Sequence, residues 1–473
     1  MSLKAIVVVT FCCVIAASSH LCMAGDIGPD NFIISGSLQY EYSNSRYSPT
    51  REVATRSSES LSKESISLGA LYEPSNRFEL RSVLSYYNQR SHYEKPGVYG
   101  QFWGTDPIHF TSKNEALAID SLYALLRDST DRFSVGIGRN PNGVAIAHRN
   151  SYASFSKPTD SSSTLTSYDF DGITLTYNPI LLSSTKGYVQ FSYGEGFENR
   201  KLTYHYDISG VSLSPDTFNS QSLYGTTPLY KAKVLSASVI PINTSDLKLW
   251  FSYVDARNIY SVPTNDHFYT AFTYTDLSNA TQTALFDLLA PVNLGNMRWY
   301  SIGVDSHKDL FNGKLHGSIE IAQSKAEQSI SALFTSPVKI SLINLNDTPS
   351  KTGRAIYGNI DFELPSKTTL GFEYSYGSKY WVPTVAGKYG TRGLMIEPYV
   401  QQKLMLNKLK CSARLGLQHF EYKYSGSNQW WGEPISINDV GIAHATATDT
   451  FGYDFSSFPS HSNTIYGNII INF

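Results

Sequence analysis

Two groups of charged residues in this chain of 473 residues have the chemistry to act on ions or dipolar solutes. The first group lies in one polar stretch without a carboxylate and consists of Arg139, His148, Arg149 and Lys157. The second group lies on the polar faces of segments in which apolar and polar residues alternate, and it consists of Arg81, Asp120, Asp305, Glu320, Asp361, Glu373, Glu397 and Arg414. Basic and acidic groups that face each other create a field that filters ions.

Histidine, serine and acidic residues also occur next to each other, but their spacing does not favour catalysis. His-Ser-Asn stands at 461–463 and Asp-His at 266–267, and adjacent residues of a strand point to opposite faces. Such residues cannot converge on one substrate atom. The sequence also lacks metal-ligand spacing and a phosphate-binding glycine loop, and His148 has no His or Cys partner near it. We therefore predict no enzyme activity, no metal site and no cofactor.

Alternation with a period of two residues predicts sixteen β-strands along the chain. In residues 31–42, for example, Ile34 and Leu38 share one face while Ser37 and Gln39 share the other. The predicted strands are 31–42, 63–73, 77–90, 115–127, 132–139, 168–177, 187–195, 231–241, 247–256, 296–308, 314–325, 353–363, 368–378, 392–405, 409–421 and 461–473. An extra hairpin at 202–213 or 329–345 would raise the strand count to eighteen.

The connections between these strands alternate between short and long. Short links such as 74–76 and 406–408 are separated by connections of about 13 to about 39 residues, against an ordinary median of about 4 to 6. A water-soluble sandwich or solenoid has no reason to place every long loop at one end. An even strand count with one rim of short turns and one rim of long loops is typical of outer-membrane barrels. The pattern predicts an all-β, up-and-down transmembrane barrel.

The first 24 residues have the character of a secretory signal peptide. Lys4 precedes an apolar run over residues 5–17, and a short polar stretch leads to Ala24. We expect cleavage after Ala24 and one barrel domain over residues 25–473. The mature chain then keeps only Cys411, which cannot form an internal disulfide. The formal net charge of −2 is too balanced to indicate a nucleic-acid partner.

The end of the chain, TIYGNIIINF, alternates up to its terminal aromatic residue. Phe473 at this place resembles the signal that the barrel-assembly machinery reads in bacterial outer-membrane proteins. The chain as a whole resembles the general porins with sixteen strands, and the sequence GRNPNG at 138–143 resembles the start of a loop in a poorly characterised porin-like family. The resemblance implies a multi-pass barrel in the outer membrane of a Gram-negative bacterium. It also implies contacts with outer-membrane lipids and lipopolysaccharide, and it leaves a homotrimer open.

The third long connection is expected to fold into the lumen. Ser134, Gly136 and Gly138 leave the inner face of the preceding strand without bulk, and Asn-Pro-Asn-Gly at 140–143 is a turn signal. Porins fold the loop at this position inward, so the resemblance implies a constriction formed by Arg139, His148, Arg149 and Lys157. These basic groups would face the acidic wall of the later strands. In the alternative that stays open, the loop lies outside and Arg149 binds lipopolysaccharide phosphate.

The charges on polar faces predict the function. Such charges are costly against lipid and inexpensive in a wet lumen, and a barrel of sixteen strands is too wide for side chains to fill. We expect a porin with a water-filled channel through which small hydrophilic solutes and ions diffuse. A second candidate is a channel selective for saccharides or organic anions, in which Trp250, Trp299, Tyr357 and Tyr399 stack on sugars. The sequence is also compatible with an outer-membrane adhesin or structural barrel, and with a barrel hydrolase.

Overall fold

Sixteen antiparallel strands close into a barrel in the computed structural model. These strands are β1 (Phe32–Pro49), β2 (Ser57–Ser75), β3 (Phe78–Lys95), β4 (Ile108–Arg127), β5 (Phe133–Arg139), β6 (Asp171–Tyr177), β7 (Tyr188–Glu195), β8 (Lys233–Asn243), β9 (Leu247–Tyr260), β12 (Asn293–Leu310), β13 (Gly313–Gln328), β16 (Lys351–Glu363), β17 (Thr368–Gly377), β18 (Gly393–Leu406), β19 (Leu409–Tyr422) and β20 (Pro459–Asn472). The sixteen predicted strands are confirmed, with ends that differ by a few residues in most cases.

Four shorter strands lie outside the barrel. They form two separate two-stranded sheets, β10 (Phe268–Thr275) with β11 (Thr281–Leu288) and β14 (Ser331–Ala332) with β15 (Lys339–Ile340). The hairpin considered at 329–345 therefore does not join the barrel wall, and the barrel has sixteen strands. Two 3₁₀ helices, Ile180–Thr185 and Lys388–Gly390, complete the described elements.

The structure describes residues 32–49, 57–95, 108–141, 164–166, 168, 170–196, 232–260, 268–275, 281–288, 293–328, 331–332, 339–340, 350–384, 388–406, 409–424, 434, 436–437 and 459–472. Within these ranges, no helix has the length and apolar character to cross a membrane. The predicted signal peptide at 1–24, the hairpin considered at 202–213 and the terminal Phe473 lie outside the described residues.

The barrel closes between its first and last strands. Leu38 on β1 lies opposite Ile66 of β2 on one side and opposite Ile471 of β20 on the other. Closure gives both edges of every barrel strand a neighbour, so the backbone amides and carbonyls are paired within the protein. An open sheet would leave two unpaired edges in the hydrocarbon layer, where water cannot satisfy them.

The two faces of each strand differ strongly in exposure. On β13, Ile321 is 53% exposed and Glu320 is 1% exposed; on β19, Leu415 is 57% exposed and the adjacent Arg414 is 8% exposed. The outward residues form an apolar belt that also includes Leu68, Ile137, Phe191, Ile302, Ile360, Leu370 and Ile465. A closed barrel with such a belt is the architecture of bacterial outer-membrane proteins. The predicted location in the outer membrane is therefore confirmed.

Charged residues appear on the outward face where β5 to β8 approach the long loops. Arg139 and Asp171 form a salt bridge with 2.9 Å between Nη2 and Oδ2, and Lys233 pairs with Glu195. Asp171 lies directly opposite Glu195 in the register, so the four residues form one row across four strands. These residues are called the outer-face ion pairs below. They mark the end of the apolar belt on this side.

Candidate functional site: the inner wall and two inward segments

The charged residues predicted for the lumen wall lie on the inward faces of their strands. Their burial is high for charged groups: Asp120, Glu320 and Glu397 are all 2% exposed or less. The inward set consists of Arg81, Asp120, Asp305, Glu320, Asp361, Glu373, Glu397 and Arg414. Burial of a charge is costly unless a partner compensates it. The partners of these groups therefore define the site.

One stretch of the third long connection lies inside the barrel, and we call it the first inward segment (described at 164–166, 168 and 170). The backbone amides of Thr164 and Leu165 donate to Glu320 Oε2 at 2.7 and 3.1 Å. Thr166 shares a hydrogen bond of 3.0 Å with Ser301, and Tyr168 donates to the Ser236 hydroxyl. The segment thus runs along the inner wall from β6 past β8 and β12 to β13. The predicted inward fold of the third long loop is confirmed for this part.

The entry of this loop depends on a small wall residue and one asparagine. A Cβ atom at Gly136 would lie 2.7 Å from the carbonyl oxygen of Pro141, so only glycine lets the chain lie against the wall here. Asn140 has a positive φ of 51° and is fully buried. Its side chain donates to the Asp120 carbonyl at 2.9 Å and accepts from the Phe170 amide at 3.1 Å. Asn140 therefore joins the start of the loop to its end.

The connection between β17 and β18 also enters the lumen, which the sequence reasoning missed. We call residues 378–392, with 385–387 outside the described part, the second inward segment. Trp381 and Val382 are fully buried, and Trp299 of β12 donates from Nε1 to the Val382 carbonyl at 2.8 Å. A Cβ atom at Gly353 would clash with the backbone of Tyr380 and Trp381. The missing side chain at Gly353 thus leaves room for the second inward segment, as Gly136 leaves room for the first.

The two inward segments share an apolar core with the wall. Leu165 of the first segment accepts a hydrogen bond at its carbonyl from Thr384 of the second at 3.4 Å. The core contains Leu165, Tyr168, Phe170, Ala232, Val234, Val254, Ala256, Ile259, Met297, Trp299, Ala322, Ala326, Ala355, Tyr357, Trp381 and Val382. This side of the lumen is packed with side chains and is not lined by water. The sequence-based expectation of an interior too wide to fill is wrong for this side.

A buried ionic cluster holds the second inward segment against β17, β18 and β19. Lys388 Nζ lies 2.7 Å from Glu373 Oε2 and 2.8 Å from Glu397 Oε2. Arg414 binds the same two carboxylates, with 2.9 Å to Glu373 Oε1. Two carboxylates and two cations make the cluster neutral. Tyr466 and Gln418 complete it by donating to Glu397.

Two tyrosines shape the surroundings of this cluster. The guanidinium of Arg414 lies 3.4 Å from the ring centroid of Tyr399, a stacked cation–π contact. Tyr389 donates to Glu373 Oε2 at 3.1 Å. Burial, followed by the nearby Glu373 carboxylate, raises the pKa of Tyr389 well above its ordinary value, so the phenol keeps its proton as a donor.

The remaining acidic wall residues also have partners. His316 lies between Asp305 and Asp361, at 3.1 Å from Asp305 Oδ2 through Nε2 and 2.7 Å from Asp361 Oδ2 through Nδ1. Glu320 binds the first inward segment, and Glu373 and Glu397 bind Lys388 and Arg414. The predicted acidic ridge is therefore compensated by neighbouring groups within the described residues.

Of the four residues predicted for the constriction, the structure describes only Arg139. Arg139 lies opposite Leu122, an outward residue that is 46% exposed, and its guanidinium binds Asp171 on the outer surface. Its predicted place in the lumen is wrong, because strand alternation puts Gly138 and not Arg139 on the inner face. His148, Arg149 and Lys157 lie outside the described residues.

The aromatic side chains considered for sugar stacking are covered. Trp250, Trp299 and Tyr357 are each 1% exposed or less, and Tyr399 carries the Arg414 guanidinium on its ring. Packing against the inward segments and the wall accounts for these rings. They present no open face on which a saccharide could stack.

The sequence carries one signal that would have found the second inward segment. Gly353 stands on the inner face of β16, as Gly136 does on β5, and each leaves room for backbone of an inward segment. The ionic cluster itself has no local signal, because Lys388 meets carboxylates from two different strands. Its residues come together only when the barrel forms.

One protein family and several solved structures are similar to this chain. A family model described as "Protein of unknown function (DUF3373)" matches residues 61–451. No curated protein matches the chain. Similar solved structures include OprB of Pseudomonas putida at low pH, with 7% identity, a TM-score of 0.45 and coverage of 94% of this chain and 93% of that chain.

Two further porins are among the similar solved structures. OmpF of Salmonella typhi in complex with daunomycin has 11% identity and a TM-score of 0.40, with 94% of this chain and 98% of that chain covered. An anion-selective porin from Comamonas acidovorans has 8% identity and a TM-score of 0.38, with 93% and 99% covered. Likenesses this distant carry no information about the solutes of this chain. The family model spans more than four fifths of the sequence, and the protein therefore belongs to the family described as DUF3373.

Proposed function

We propose that this protein is a porin, a channel for passive diffusion of small hydrophilic solutes and ions across the outer membrane. The observation that carries the proposal is a closed barrel with an apolar outer belt and charged side chains on its inner wall. Charges on the inner wall are costly unless water or partners reach them.

The path of solutes is proposed past Arg81, on the inner face of β3. The contacts of both inward segments described above fall on β4 to β6, β8, β9, β12, β13 and β16 to β19. Arg81 on the inner face of β3 keeps 39% of its side chain exposed beside Glu79, at 3.5 Å. An arginine that is exposed inside a barrel has contact with water. The packed side of the lumen narrows the channel. On β3, Arg81 marks the proposed route near the rim of short turns, whereas Glu41, Ser67 and Ser85 farther along the inner face of β1 to β3 are buried.

The proposal is tested by reconstitution of the purified protein into planar lipid bilayers. We expect stepwise increases of current in KCl, with a conductance below that of a wide general porin because two segments occupy the lumen. Protein that is folded as a barrel and still passes no current would contradict the proposal. An adhesin or structural barrel would give that result.

Two arginines supply a matched pair for the ion path. Arg81 lies on the inner face and Arg139 lies on the outer face, and each has an acidic partner. Arg81→Gln should shift the zero-current potential in a KCl gradient toward cation preference, because one positive charge leaves the channel. Arg139→Gln should leave this potential unchanged. Equal responses of the two variants would contradict the proposed path.

A channel selective for saccharides or organic anions is the second candidate that the sequence offered. The rings named for sugar stacking are covered, so this candidate has less support than general diffusion. Block of single-channel current by a saccharide would favour it.

The resemblance to porins supports four further proposals. They are a homotrimer, contacts with lipopolysaccharide, assembly by the barrel-assembly machinery and the absence of enzyme activity.

A further inference from the structure

Two histidines and two aspartates meet on the inner wall near the rim of short turns. His307 of β12 and His316 of β13 lie directly opposite each other on either side of the turn Phe311–Asn312. Their rings stack with centroids 4.4 Å apart and an angle of 12° between the planes. Asp305 lies beside them on the same inward face. The ionic cluster around Lys388 does not involve these residues.

Three side chains direct ligand atoms toward one point. His307 Nε2 lies 3.0 Å from Asp305 Oδ1, and His316 Nε2 lies 3.1 Å from Asp305 Oδ2. One ligand atom from each of Asp305, His307 and His316 lies within 4.8 Å of the others. Ligands of a tetrahedral ion bound at about 2.0 to 2.2 Å lie about 3 to 3.5 Å apart. Small side-chain rotations therefore bring all three atoms onto one ion.

Asp361 contacts the ring nitrogen of His316 that points away from Asp305 and His307. His316 Nδ1 lies 2.7 Å from Asp361 Oδ2, and its Nε2 lies 3.1 Å from Asp305 Oδ2. With Nδ1 donating to Asp361, Nε2 is the atom that would exchange its proton for an ion. Asn359 and Tyr399 donate to the same Asp361 oxygen at 2.9 and 3.4 Å. A ligating histidine in metal sites almost always donates its other ring N–H to a carboxylate or carbonyl. This contact fixes the ring and selects the tautomer that binds an ion.

We propose that Asp305, His307 and His316 bind a divalent transition-metal ion of the Zn²⁺ type at the short-turn mouth of the lumen, with Asp361 as a positioning residue. Two imidazoles and one carboxylate form a ligand set that suits Zn²⁺ and leaves a fourth place for water. Imidazole disfavours Mg²⁺ and Ca²⁺, which take oxygen ligands. The ion reaches the site from the lumen, because His307 keeps 53% of its side chain exposed.

The competing account is a histidine that serves only as a structural bridge. In that case His316 would carry a positive charge between Asp305 and Asp361 and no ion would bind. That account explains the position of His316 but gives no role to the stacked and exposed His307.

Lys248 lies opposite Asp305 on β9, and its charge acts against a bound cation. The Lys248→Ala variant should therefore bind Zn²⁺ more tightly.

Isothermal titration of the folded protein in detergent with Zn²⁺ tests the site. We expect one saturable site for Zn²⁺ and none of comparable affinity for Mg²⁺. His307→Ala and His316→Ala should each weaken Zn²⁺ binding by about a hundredfold or more, because loss of an outer partner alone costs about 10- to 100-fold. His461→Ala serves as the control, since His461 lies at the opposite end of the barrel. Migration of each variant as a folded barrel on a gel excludes misfolding as the cause.

Asp361 provides a test that a structural role would not satisfy. Asp361→Ala should weaken Zn²⁺ binding by about 10- to 100-fold, while Asp361→Asn, which keeps an acceptor oxygen, should lose less. No Zn²⁺ binding, or binding that His307→Ala and His316→Ala leave unchanged, would overturn the proposal. Titration does not depend on conduction, so the result stands apart from the bilayer test of the channel. If the channel conducts, Zn²⁺ added on the periplasmic side should lower its current, and a chelator should restore it.

Discussion

The two inward segments enter the same lumen but are held by different interactions. The first adds Leu165, Tyr168 and Phe170 to the apolar core and is tied to the wall by hydrogen bonds, two of them from backbone amides to the Glu320 carboxylate. The second is held by a buried ammonium, Lys388, between two carboxylates, and by the fully buried Trp381. A hydrogen-bonded chain loses its contacts one at a time, whereas a buried charge leaves a large penalty when its partner is removed. We expect the second segment to be more firmly docked.

Removal of the Lys388 ammonium should have the largest effect. Lys388→Met leaves Glu373 and Glu397 with Arg414 as their remaining cation, and loss of one partner of a buried pair costs about 3 to 5 kcal/mol. We expect faster hydrogen exchange and proteolysis within residues 378–392. The channel should also become more selective for cations, because the cluster gains a net negative charge.

Two further variants separate charge from shape in the Lys388 test. Lys403→Met removes a lysine that pairs with Glu363 but keeps 52% of its side chain exposed, so it should cost at most about 1 kcal/mol. Lys388→Met combined with Glu373→Gln restores neutrality and should recover much of the protection. If residues 378–392 exchange hydrogen as slowly in the Lys388→Met variant as in the parent protein, the ionic cluster does not hold the segment.

An intermediate effect is expected at the carboxylate that holds the first segment. Glu320→Gln keeps an oxygen acceptor but removes the charge, and charge-assisted hydrogen bonds are worth about 1 kcal/mol more than neutral ones. Hydrogen exchange at Thr164 and Leu165 should rise by about fivefold to tenfold. The Glu327→Gln variant on the outer rim serves as the control. Exchange that rises equally at residues 378–392 would show that the segments move together and would remove the contrast between them.

The smallest effect is expected at the hydroxyl of Tyr168. Tyr168→Phe keeps the ring in the apolar core but loses the donation to Ser236, and one such hydrogen bond contributes about 0.5 to 1.5 kcal/mol. Local exchange near residue 168 is the measurement. Loss of the whole first segment in this variant would mean that the ring and hydroxyl act as its main anchor, contrary to the role given to Glu320.

The strands could be predicted from the sequence because two solvents act on every one of them. Lipid on one side and the lumen on the other impose alternation, and Leu415 next to Arg414 displays it directly. The inward entry at Gly136 could be predicted because a missing side chain is visible in the sequence. Lys388 and His316 could not be assigned, because alternation shows neither the register between neighbouring strands nor the path of the loop that carries Lys388. The sequence therefore predicts the wall well and the contacts across the lumen poorly.

The proposed Zn²⁺ site depends on cross-strand register in the same way. Sequence reasoning looks for ligands at short fixed spacing, as on a helix or in a zinc finger. Here His307 and His316 come from opposite arms of a hairpin, and Asp305 adds its carboxylate two residues before the first histidine. Cross-strand register brings them together, and a search of spacings along the chain does not detect that register.

The outer-face ion pairs have a consequence for the depth of the molecule in its bilayer. A shift of the barrel toward the periplasm would move Arg139, Asp171, Glu195 and Lys233 into hydrocarbon, where ionised groups are expensive. A shift in the opposite direction would expose the apolar belt to water. Both displacements raise the free energy, so the barrel keeps one vertical position in the bilayer. His307 and His316 therefore stay at the periplasmic end of the lumen, near the rim of short turns.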